Sequence, residues 1–126
     1  MRKIVKDLDD LEVYLDKAIK YLSTHEDTIE RKLKEGNFKL SLSDVKKSLN
    51  TIISVSSDWK DVYSKNSNVL DIGLRNYKKV DKESSYLLAN IRSFNELYIE
   101  HIDLCIDNIG NRLINEINTG GRPTKK

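Results

Sequence analysis

Helix-breaking residues are nearly absent from this chain. Its one proline, Pro123, lies in the last four of 126 residues, and the only glycines before residue 120 are Gly36, Gly73 and Gly110. Proline and glycine are the main interruptions of helices, so little in the sequence limits helix length. Cysteine is as scarce. Cys105 stands alone, which excludes an internal disulfide, and its place among Ile102, Ile106 and Ile109 marks a small buried hydrophobe. No apolar run approaches the ~20 residues of a membrane span. The opening Met1-Arg2-Lys3-Ile4-Val5-Lys6-Asp7 meets acids at once, unlike a secretory signal peptide. The expectation is a cytoplasmic protein, or one exported without a cleaved signal.

An excess of one charge is also missing. The 22 basic and 20 acidic residues leave a net charge of +2. Three cations, Arg122, Lys125 and Lys126, sit in the acid-free tail, so residues 1–119 carry a net −1. The body therefore offers no general basic surface to nucleic acid. Its length suits one domain with a core of its own, here residues 1–119, followed by a flexible basic tail at 120–126.

Apolar residues recur every third or fourth position. A first helix is predicted from Arg2 to Lys34 on the stripe Ile4, Leu8, Leu11, Leu15, Ala18/Ile19, Leu22, Ile29 and Leu33. Acid-before-base pairs at Asp16–Lys20, Asp27–Arg31 and Glu30–Lys34 support it. Gly36-Asn37 supplies a left-handed stop. A second helix opens at Ser41 with Asp44 three residues on, a capping box. Its seam is Leu42, Val45, Leu49, Ile52, Ser56, Trp59 and Tyr63, a heptad register with one polar intruder, Ser56. The run Ser54, Ser56, Ser57, Asp58 allows an earlier end near Val55. A third helix is predicted from an Asn68 cap, with Asp71 at its third position, through Val69, Ile72, Tyr77, Val80, Leu87/Leu88, Ile91, Phe94, Leu97/Tyr98, Ile102, Ile106, Ile109, Leu113 and Ile117. It either continues to Asn118 or bends at Asp81–Ser85. The fold class is thus all-α: an antiparallel bundle or elongated helical hairpin of three to four long helices with coiled-coil-like packing.

Motifs for chemistry are few. His25 and His101 fall in different helices. No Glu-x-x-His, His-Glu-x-x-His, Cys-x-x-Cys or glycine-rich phosphate loop occurs. The expectation is no enzyme, no metal, no cofactor and no small-molecule substrate. The aromatics are scattered at helical spacing without interleaved arginines, which favours core or core-edge roles over base stacking.

Trp59-Lys60 with Tyr63, followed by Tyr77-Lys78-Lys79-Val80-Asp81, resembles the WXG100 and LXG-partner type of small helical-hairpin protein. There a Trp-x-Gly turn joins two antiparallel helices, and an aromatic-x-x-x-acid element serves type VII secretion. Asp61 stands where that turn has glycine, and Tyr77 with Asp81 keeps the Tyr-x-x-x-Asp spacing. The resemblance spans roughly Leu42 to Asn118. It implies a partner or targeting factor for a secretion substrate, with Trp59, Tyr63, Tyr77 and Asp81 as partner-binding residues. The tail, Gly121-Arg122-Pro123-Thr124-Lys125-Lys126, resembles part of an AT-hook, with Gly120 in place of its first arginine. Three cations alone imply weak, salt-sensitive DNA contact through Arg122, Lys125 and Lys126.

The leading expectation is a non-enzymatic helical adaptor that pairs with another helical protein or with itself. The alternatives are an oligomeric DNA-associated accessory protein and a helical inhibitor or immunity protein.

Overall fold

A computed structural model describes the backbone of residues 2–65 and 69–119, and side chains at 4–63, 65 and 71–119. Helices are α1 (Arg2–Thr24), α2 (Glu26–Glu35), α3 (Leu42–Lys65), α4 (Val69–Ile91) and α5 (Ile99–Asn118), with a 3-10 turn at Asn95–Leu97 before α5. The fold is all-α, and no strand occurs among the described residues.

The predicted stripes are the faces that pack. Ile4, Leu8, Leu11, Leu15, Ala18 and Leu22 of α1 are buried, as are Leu42, Val45, Leu49, Ile52 and Trp59 of α3. The long helices form a closed ring in which α1 packs on α3, α3 on α4, α4 on α5, and α5 back on α1. Each neighbour runs antiparallel to the last. Lys60 near the end of α3 reaches Asp9 near the start of α1. Ser84 late in α4 meets Asp103 early in α5, and Arg112 late in α5 meets Asp7 early in α1. Four amphipathic stripes thereby share one core, as in helix bundles generally.

Local chemistry explains most boundaries. Ser41 and Asp44 form the expected reciprocal cap: the Asp44 amide donates to Ser41 Oγ at 3.2 Å, and the Ser41 amide donates to Asp44 Oδ2 at 3.1 Å. These contacts hold the Asp44 carboxyl below its ordinary range, the backbone bond from Ser41 being the larger cause. The helix does not stop near Val55. It runs to Lys65, because burial of Trp59 outweighs the weak propensity of the serine run. The Asn68 cap lies outside the described residues.

Two expectations are corrected and one is met. The first predicted helix is not continuous to Lys34, since it kinks at His25 (φ −127°, ψ 39°). Thr24 Oγ1 donates back to the Lys20 carbonyl at 2.8 Å, a contact that bends helices. The ladder survives the kink, with the His25 amide on the Tyr21 carbonyl at 3.0 Å. The kink tips α2 over the start of α3, where Lys46 meets Glu26 at 2.6 Å. Second, the Gly36-Asn37 stop is left-handed as expected, at Asn37 (φ 55°), with Gly36 at φ −84°. Third, Asp81–Ser85 is no bend. It lies inside α4, and the chain reverses instead at residues 92–98, where Tyr98 is left-handed (φ 58°).

Gly110 gives α4 and α5 their close approach. The Tyr77 ring occupies the space that a side chain at this position would need. Replacing Gly110 by Ala is expected to lower unfolding free energy by about 1–3 kcal/mol, read from urea denaturation, because the Tyr77 ring must leave its seat.

Candidate functional site

The four residues marked for partner binding separate into two groups. Trp59 is fully buried in α3, and Tyr63, one turn later, is half-buried. Both press on α4 at Gly73: a Cβ there would stand 3.1 Å from Tyr63 Oη and 3.3 Å from Trp59 Nε1. Neither polar atom has a partner at hydrogen-bond geometry, nor has Ser56 Oγ one turn earlier. Burial pushes the Tyr63 phenol up to about 12, partly offset by the Trp59 indole N–H. Trp59-Lys60-Asp61 is helical throughout, and these side chains anchor α3 to α4.

Tyr77 and Asp81 lie one turn apart on α4, both half-buried against α5. Burial raises the Asp81 pKa, and Asp103 and Asp107 across the seam add to the rise. Burial likewise raises Tyr77, with Asp81, Asp107 and Asp103 contributing after it. Ser84 Oγ, fully buried, donates to Asp103 Oδ1 at 3.1 Å. No group of three or more metal-ligating side chains converges among the described residues. Among the described residues, no helix is long and apolar enough to cross a membrane. Arg122, Lys125 and Lys126 lie outside the described residues.

A third grouping, not singled out from the sequence, spans the outer side of the α1–α5 seam. Tyr14 of α1 stacks on His101 of α5 with ring centroids 4.8 Å apart. Tyr98 meets the same histidine edge-on at 6.0 Å. The Lys17 ammonium lies 5.8 Å from both tyrosine rings. Tyr21 continues this side of α1 and stacks on His25 at 4.6 Å, so both histidines of the chain lean on tyrosines of one helix. Leu104, 62% exposed, and Val13, 50% exposed, sit on the outward faces of α5 and α1. The signal in sequence was the spacing Tyr14, Lys17, Tyr21, in steps of three and four. The partner rings became visible only once the reversal at 92–98 had brought Tyr98 and His101 beside α1.

Cys105 is buried on the α1 side of α5. Burial pushes its thiol up to about 11, and Asp10 and Asp7 add to the shift. The chain matches no protein-family model, no curated protein and no solved structure.

A pH titration and a thiol-labelling rate test these environments. A raised acid leaves the folded state holding a proton that the unfolded chain has released, so stability falls as pH rises between the two values. For Tyr63 that window runs from 10.0 to about 12. The urea midpoint of the wild type is expected to fall more steeply across it than that of Tyr63→Phe. For Cys105, thiol labelling at neutral pH is expected to be slow in the native protein and fast in urea, and comparable rates would place the thiol outside the core.

Proposed function

We propose that this protein is a non-enzymatic helical adaptor that binds another helical protein through the outer α1–α5 face. The observation that carries this reading is the assembly of Tyr14, Lys17, Tyr98 and His101 beside the exposed Leu104. Aromatic side chains with an apolar neighbour are the composition of binding hot spots. A second feature supports the same face. Tyr98 is held left-handed, a conformation that costs a non-glycine residue about 1–2 kcal/mol. Strain of this kind gathers at functional positions.

The finer version, a partner or targeting factor for a type VII secretion substrate, draws on Tyr77 and Asp81. Both are half-exposed and one turn apart on α4, the arrangement that an aromatic–acid signal needs. Since Tyr77 also packs on Gly110, Asp81→Asn is the substitution that probes this element without disturbing the seam. Export unchanged by it removes the secretion version and leaves the adaptor.

Co-expression with neighbouring reading frames, followed by size exclusion with light scattering, tests the adaptor. A stable heterocomplex is expected. Leu104→Glu should abolish it with the melting temperature unchanged, because the side chain makes little contact with the core. Tyr98→Gly should also weaken it, while relief of the left-handed strain offsets the packing lost with the ring. A complex insensitive to both substitutions would place the interface elsewhere.

A further inference from the structure

An adaptor needs a second surface, and the side of α1 opposite its aromatic stripe provides a candidate. Of the four seams in the ring, α1–α3 is the most open, and a groove of about 370 Å³ runs along it. That volume falls within the range of ligand pockets, roughly 300–1,000 Å³. The apolar part of its floor is the half-buried Ile53 of α3, with the core residues Leu8 and Leu15 of α1 beneath it. The groove exists because α3 places Ser56 and Ser57 here, where larger side chains would have closed the seam. From Leu8 to Leu15 it is about 10 Å long, at 1.5 Å per residue. Two turns of a docked helix fit that length.

Its rim is acidic. Glu12, Asp16 and Asp61 line it against one cation, Lys60. That lysine is already committed, with its ammonium 2.9 Å from Asp9 and 3.0 Å from Glu12. Those two carboxylates also raise its pKa, Asp9 most. Asp16 has only a loose pairing with Lys20 at 3.6 Å, and both side chains are well exposed. An apolar trough with carboxylates on both banks selects an apolar anchor flanked by positive charge, and repels an acidic segment.

Resting on the adaptor reading, we propose that the α1–α3 groove receives a basic amphipathic helix of a partner protein, with an apolar side chain against Ile53, above the buried Leu8 and Leu15, and Lys or Arg beside Asp16 and Asp61. The groove and the aromatic face then engage different segments, so the chain bridges two surfaces.

Fluorescence anisotropy of the full chain with a labelled synthetic Leu/Lys amphipathic helix tests this, with a Leu/Glu helix of equal length as the counterpart. The Leu/Lys peptide is expected to bind and the Leu/Glu peptide is not. Neutralising the banks with Asp16→Asn and Asp61→Asn should weaken binding by about tenfold, equivalent to about 1.4 kcal/mol. Ser57→Phe, which covers the trough from the exposed side of α3, should weaken it as much without any change of charge. Circular dichroism establishes that each variant is folded. If Ser57→Phe does not fold, amide NMR shifts of the wild type on adding peptide replace it, and they should cluster at residues 8–16 and 53–61. Unchanged affinity in either variant, or shifts spread over other helices, overturns the proposal. Tighter binding after removal of residues 120–126 overturns it too, since the chain's own basic tail would then be the occupant. The adaptor reading is judged separately by the Leu104→Glu complex. Loss of that complex with a normal peptide titration leaves both readings standing, and a failed titration with the complex intact removes only the groove.

Discussion

Between Ile91 and Ile99 the backbone turns without a glycine or proline, and Tyr98 is forced left-handed to complete the turn. That conformation costs about 1–2 kcal/mol. It is offset by Phe94, Leu97 and Ile99, all buried within the turn or at its exit, where full burial of such a side chain contributes about 1.5–3 kcal/mol. The rest of the architecture depends on this exchange. The turn sends α5 back along α4, and it rests on α1, so the ring of four helices closes. A straight helix through the same residues would leave the Ile102–Leu113 stripe without its α1 and α4 partners. Lys32 and Phe38 from the segment around α2 secure the turn from outside, with Lys32 Nζ 3.5 Å from Glu96 and the Phe38 and Phe94 rings 6.2 Å apart.

Polar groups inside the ring set its register. Asp7 is buried and meets Arg112 across the α1–α5 seam. Ser84 does the same for α4–α5 through Asp103. A slide by one helical turn would leave Asp7 as an unpaired buried charge, at a cost of several kcal/mol, and the buried Ser84 hydroxyl without its acceptor, at about 1–3 kcal/mol. The α3–α4 seam is matched differently. There Gly73 lets the α4 backbone come close to Trp59 and Tyr63, and the contact is one of shape. Two orphaned polar atoms there, Trp59 Nε1 and Tyr63 Oη, carry a desolvation cost of about 1–3 kcal/mol each. The packing of the indole and phenol rings must exceed it.

Helix faces were legible in the sequence because burial and spacing are the same information in an amphipathic helix. Every seam residue from Leu42 to Trp59 in α3 is buried, and the Ser41–Asp44 cap formed as its spacing required. Reversals were less legible. Reading glycine and proline as the only punctuation left the turn at 92–98 without a marker and drew attention to the polar run at Asp81–Ser85. That run is ordinary helix in α4: Lys82 and Ser85 face solvent, Asp81 is half-buried against α5, and Ser84 is held inside by Asp103. The missed signal was Ile99. Its burial two residues after Leu97 breaks the three-or-four step of a helix, yet the series Phe94, Tyr98, Ile102 kept that step and masked it. The kink at His25 was hidden for a related reason, since Leu22 and Ile29 stay on one stripe across it.

The same dependence governs the candidate surfaces. Tyr14 and Lys17 were readable as one side of the first helix, and Glu12 and Asp16 as another, but neither set acquires a meaning until its neighbour is known. Tyr98 and His101 give the first side rings to stack on. The small residues of α3 give the second side its depth. One helix, buried along a single stripe by Ile4, Leu8, Leu11, Leu15, Ala18 and Leu22, thus has two different flanks, one carrying Tyr14 and Lys17 beside α5 and the other Glu12 and Asp16 beside α3. Because the buried stripe fixes the rotation of α1 about its own axis, the two flanks cannot exchange. The placing of the surface groups is therefore set by the core: the apolar stripe that holds α1 in the ring also decides which of its flanks faces which seam.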